Sequence, residues 1–237
     1  MERSSAKSVW RLDGAAVESF RLVVPSNGDA FAPPATILKA LDTATAALVR
    51  LSAVITIGIE LDVRNALANA APFVPPVWVE ELLLQSYLFA GFPRALNAMR
   101  HWRELNPAPA SPAQAHDVAE WAAAGQVTCA AVYGSMYERL RENIRMLHPA
   151  LDDWMVTEGY GKVLSRPGLD LPRRELCIVA ACAAAGQDRQ LLSHLHGAQN
   201  VGVSRSVMDD AIQSIESVVD ADRAQSLRLL WARVREP

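Results

Sequence analysis

From Ala35 to Arg103 apolar residues recur at spacings of three and four, the period of helices that bury one face. The pattern breaks from Ala71 to Pro76 and again at Gly91 to Pro93, so this stretch predicts two helices, a turn, and two more helices. Residues 104–117 then place three prolines among small residues and predict a semi-rigid linker. Beyond it, Asp117 to Met146 predicts one or two helices with a turn near Gly125, and Ala150 to Thr157 a short helical piece. Glu158 to Leu169, EGYGKVLSRPGL, reads as a loop. Asp170 is placed to cap a helix whose early Pro172 needs no hydrogen-bond partner, running to Gly186. Helices from Gln187 to Gly202, Arg205 to Val219 behind Ser204, and Ala221 to Arg235 complete the chain. No useful strand-like alternation follows residue 35, so the expected fold is all-α. Residues 1–34, with Pro25, Gly28, Pro33 and Pro34, predict an N-terminal arm without chemistry.

Composition agrees with close-packed helices, because 51% of residues are hydrophobic, only 6% are aromatic, and alanine runs such as Ala183–Ala185 are frequent. With 23 basic against 26 acidic residues and no basic stripe, a nucleic-acid partner is not expected. Met1 to Asp13 lacks an apolar signal core, and the run Leu51 to Ile59 is too short to span a bilayer. The expectation is a cytoplasmic protein without a membrane partner. Cys129, Cys177 and Cys182 form no even framework and no two-residue-gap pair, so neither disulfides nor a zinc knuckle is expected.

Two stretches share an order of features. Residues 47–102 give a small-residue helix, a shorter one, a turn and two further helices; residues 174–233 repeat that order with gaps. This predicts two tandem, diverged repeats, residues 35–103 and the helices within 118–237.

Chemistry concentrates in the second repeat. Glu175 and Cys182 lie seven positions apart on one face of the helix behind Asp170, and that face is otherwise apolar. Glu175 is therefore either a buried carboxylate needing a donor, or a helix-end residue paired with Arg173 or Arg174. On the next helix Gln187, Gln190 and His194 share a stripe, whereas His196 lies about 200° around from His194, so the two histidines are a poor chelating pair. His194 reads as a structural or a catalytic histidine. A metal site would need Glu175, His194 and Asp188 to converge without an HExxH motif, and none is expected; GxSxG and Gly-rich phosphate loops are absent. Cys182, within AACAAAG, is either a packed side chain or a reactive thiol. The first repeat has Arg64 and Asn65 near the place corresponding to His194, so a site belongs to the second repeat, with the first as its wall.

The string from Tyr160, YGKVLSRPGLDLPRRELCIVAACAAAGQDRQLLSHLHGAQNVGVS, with its RPGL lead-in, RE at the helix start and SHxxGAxxxGV ending, resembles the core of the carboxymuconolactone decarboxylase and AhpD-like family. EELLLQSYLFAGFPRALNAM in the first half is similar to the family's third helix and its continuation. The resemblance implies an AhpD-like helical bundle that self-associates; a fused two-repeat chain implies fewer copies per ring, such as a trimer. His194 follows Glu175 by nineteen positions, the frame of the family's peroxidase branch, but Gln187 and Gln190 stand where that branch has its CxxC cysteines. Glutamine cannot exchange disulfides, which disfavours an AhpD-type peroxidase. The decarboxylase branch needs neither the thiol pair nor a cofactor. For it the resemblance implies a small carboxylate or lactone substrate, proton delivery by His194 oriented by Glu175, hydrogen bonds from Gln187 and Gln190, and anion contacts from Arg166 and Arg174. A catalytically silent binding or scaffold protein of the same fold is the alternative, and a Cys182 thiol antioxidant a second.

Overall fold

The computed structural model describes residues 37–110 and 117–235. The expected arm, residues 1–34, and residues 111–116 of the expected linker lie outside the described residues. The first block comprises α1 (Thr43–Ile57), α2 (Glu60–Ala70), α3 (Pro76–Ala90) and α4 (Phe92–Leu105). A middle segment follows with α5 (Val118–Tyr133), α6 (Tyr137–Leu147), α7 (Pro149–Trp154) and a π-helical continuation, Met155–Leu164. The last block is α8 (Leu171–Ala184), α9 (Asp188–Asn200), α10 (Arg205–Glu216) and α11 (Ala221–Arg235). Among the described residues there is no strand; an isolated bridge joins Leu38 to Val203. No helix there is long and apolar enough to cross a membrane.

The helices start where local chemistry satisfies their free N–H groups. Asp42 accepts from Thr45 N at 2.7 Å, Asp170 from Arg173 N at 3.0 Å and Ser204 from Val207 N at 3.3 Å. Each such cap contributes ~1 kcal/mol.

The seam of the molecule is α1 against α8. Every residue of α8 from Arg174 to Ala183 is buried, and its face is divided between two apolar clusters. Cys177 packs with Leu48, Leu51, Leu82 and Trp102 of the first block, while Leu176 and Ile178 pack with Leu191, Leu195 and Met208 of the last. Small residues let the helices approach, and Ser52 Oγ donates to the Cys177 carbonyl across them at 2.7 Å. Burying one leucine-sized side chain in such a seam contributes ~2 kcal/mol.

Two expectations are corrected in the middle segment. Gly125 makes no turn: α5 runs straight through it and ends at Gly134, whose φ of 54° suits glycine. The segment expected as a loop is helical as far as Leu164, wound with the wider π pitch, and Ser165 N bonds to the Tyr160 carbonyl at 2.9 Å. One contact explains both. α5 and the π-helix pack backbone to backbone, so that a Cβ on Gly125 would lie 1.9 Å from the Val156 carbonyl oxygen and one on Gly161 2.0 Å from that of Trp121. Glycine, which reads as a breaker in sequence, here permits helix contact.

Candidate functional site

Glu175 enters from the second turn of α8 and His194 from the middle of α9, and the two meet. His194 Nδ1 lies 2.8 Å from Glu175 Oε2. Glu175 is fully buried and His194 is 5% exposed. The meeting depends on a residue without a side chain. Gly197, one turn beyond His194, would with a Cβ come 3.0 Å from Glu175 Oε2 and 2.6 Å from Val132 Cγ1, so glycine lets both approach α9. Glu175 Oε1 is buried with no hydrogen-bond partner among the described residues. Buried polar atoms are nearly always satisfied, and carboxylates most of all, so this pair is not explained by packing alone.

Aromatic rings from three other elements surround the histidine. Phe89, near the end of α3, meets His194 edge-on at 6.0 Å between ring centroids. Tyr133, the last residue of α5, lies tilted against it at 6.3 Å. Tyr160, in the π-helix, stands edge-on to Tyr133 at 5.9 Å. The end of α5 is tied to α9 by Asn200, whose amide donates to the Val132 carbonyl at 2.8 Å. Burial, together with the nearby Glu175 charge, pushes both tyrosines well above the ordinary phenol range. Both are neutral hydroxyls at neutral pH.

The remaining sequence candidates fall elsewhere. Arg166 and Arg174, expected as anion contacts, are both engaged by Glu81 of α3: Arg166 binds it through Nε and an amino nitrogen at 2.9–3.3 Å, and Arg174 donates to its Oε2 at 2.8 Å. Arg174 also bonds Gln85 Oε1 and the Leu169 and Arg166 carbonyls, so its guanidinium is a buried cross-link between α3 and α8. Gln187 and Gln190 are exposed at the start of α9, on the stripe that leads to His194. Cys182 is buried, and burial followed by the Glu175 charge pushes its thiol up to about 12. A thiol held in that range is a poor nucleophile at neutral pH. His196 is exposed. Among the described residues no group of three or more His, Cys, Asp and Glu side chains is placed to hold a metal ion.

Residues 149–233 match the model of the carboxymuconolactone decarboxylase family. The match covers a little over a third of the chain. No curated protein matches the chain. The family match spans α7, the π-helix and the last block, and so contains Glu175, His194 and Tyr160. Phe89 and Tyr133 lie outside it, contributed to the same site by preceding helices. Reading the sequence did not single out Phe89, Tyr133 or Tyr160. With so few aromatics in the chain, Tyr160 at the head of the family string and Phe89 ahead of the Gly-Phe-Pro break were the available signals.

Proposed function

We propose that this protein is a member of the carboxymuconolactone decarboxylase family and a cofactor-independent lyase acting on a small carboxylated lactone or related acid, with His194 as its general acid–base. The observation that carries the reading is the buried Glu175–His194 pair with its second nitrogen unengaged. Glu175 Oε2 holds Nδ1, and Nε2 has no hydrogen-bond partner among the described residues, so Nε2 is the nitrogen that exchanges a proton with substrate. In the proposed step the carbon–carboxylate bond breaks, CO2 leaves, and the electron pair passes into the conjugated lactone as an enolate. Nε2 takes a proton from solvent and passes it to carbon, which returns the imidazole to its neutral form with Nδ1–H held by Glu175. Glu175 is a positioning residue that fixes the ring. Gln187 and Gln190 supply amide donors where the stripe reaches the surface. Arg166 and Arg174 have no substrate role in this proposal, because Glu81 occupies both.

Binding without turnover is the second reading, favoured by the slight exposure of His194. A peroxidase using Cys182 is set aside by the burial of its thiol. The two four-helix blocks, α1–α4 and α8–α11, support the reading of a tandem duplication with α5 to the π-helix between them. Self-association also belongs to the proposal. α6 has no buried residue, and its Met146 and Leu147 are exposed beside Leu151 and Trp154, an apolar face that a second copy would cover.

The test offers the purified protein carboxymuconolactone, and separately peroxide with a dithiol, alongside His194→Ala and Cys182→Ser. CO2 release lost in the histidine variant alone supports the lyase. Peroxide turnover abolished by Cys182→Ser would overturn it, and silence of the wild type in both assays would favour binding without turnover.

A further inference from the structure

The lyase reading leaves open where the electrons that CO2 leaves behind are received. An enolate oxygen beside His194 needs a hydrogen-bond donor that is neutral, preorganised and within reach of the same substrate. The amides of Gln187 and Gln190 lie exposed at the start of α9, seven and four residues before His194, and both nearby arginines are held by Glu81. The tyrosine pair has the required properties.

We infer that Tyr133 donates its hydroxyl to the oxygen on which negative charge develops, and that the Tyr160 ring behind it holds it in position. Four observations carry this. The Tyr133 ring packs directly on His194, so a ligand that meets the imidazole edge also meets the phenol. Tyr133 is half-buried and reachable, whereas Tyr160 is 4% exposed and stands behind it. Tyr160 stands edge-on to the Tyr133 ring at 5.9 Å and backs it. The mount is rigid: Asn200 holds the end of α5 to α9, and the glycine contact of α5 with the π-helix fixes Tyr160 relative to Tyr133. Neither phenol ionises near neutral pH, so Tyr133 keeps the proton it is asked to share.

This rests on the acid–base reading of His194, but it can be tested without turnover. 4-Nitrophenol is a planar probe whose colour reports ionisation, and its anion mimics an enolate. The wild type is expected to bind it as the anion, with the bound fraction more ionised than in free solution. Tyr133→Phe, which keeps the ring and its packing, is expected to weaken anion binding about tenfold or more, in line with hydrogen bonds to charged groups. Tyr160→Leu, which removes the ring behind Tyr133, is expected to weaken it by a smaller factor and to lower the ionised fraction of the bound probe, and Tyr160→Phe, which restores the ring, to recover both. Equal binding by wild type and Tyr133→Phe, or no binding by the wild type, would overturn the inference. Tyr133-dependent binding without any CO2 release would keep the inference and remove the lyase. CO2 release that survives Tyr133→Phe unchanged, with unchanged probe binding, would do the reverse.

Discussion

At the scale of single residues, the chemistry turns on which nitrogen of His194 carries the proton. A carboxylate within 2.8 Å of Nδ1 stabilises the tautomer protonated there and leaves Nε2 as the base of the neutral ring. Nitrogen-15 NMR of labelled histidine is expected to show His194 in the Nδ1–H form. The Nε2–H form would mean that Glu175 carries a proton and donates it to Nδ1, which removes Nε2 as the working nitrogen. The pair was legible in sequence because nineteen positions across two adjacent helices and one tight turn is a local relationship. The arginines misled for the opposite reason. Nothing near Arg166 or Arg174 shows that Glu81, 85 and 93 positions earlier, would occupy both.

Elements were legible wherever a hydrophobic period ran between recognisable caps, as in α8 behind Asp170 and α10 behind Ser204. The middle segment was not, because glycine has two uses and sequence shows only that one of them applies. At Gly125 and Gly161 it removes a side chain from a helix contact. Gly161→Ala is therefore expected to destabilise the protein by ~3 kcal/mol or more, since the new methyl collides with the Trp121 backbone carbonyl rather than with a movable side chain. Urea denaturation measures this. Gly159, with open space around its Cβ position, serves as the control, and Gly159→Ala should change stability by less than ~1 kcal/mol. The same contact carries Tyr160, so a milder variant that folds should also disturb the tyrosine pair.

The whole molecule brings together a site that no single block contains. Phe89 comes from the first block, Tyr133 and Tyr160 from the middle segment, and Glu175 and His194 from the last. Sequence could give the all-α class and the shared frame of Glu175 and His194, while the aromatic enclosure depends on how distant helices pack. That packing has a consequence in alkali. Burial holds Cys129, Cys177 and Cys182 at about 12 against an ordinary value of 9.0. The unfolded chain releases these protons first. Stability is accordingly full below pH 9 and falls from there toward pH 12, by up to ~1.4 kcal/mol per pH unit for each thiol. Unfolding midpoints measured across that window should show the decline, and Cys182→Ala should make it shallower. Thiol reagents at neutral pH should leave the folded protein unmodified.

The central claim is that His194 moves the proton, and the most direct measurement is CO2 release from carboxymuconolactone in deuterated water by wild type and His194→Ala. The wild type is predicted to release CO2 and deliver deuterium to the ring carbon next to the lactone carbonyl, with the rate of His194→Ala lower by about 100-fold or more. Equal rates in the two proteins would contradict the account.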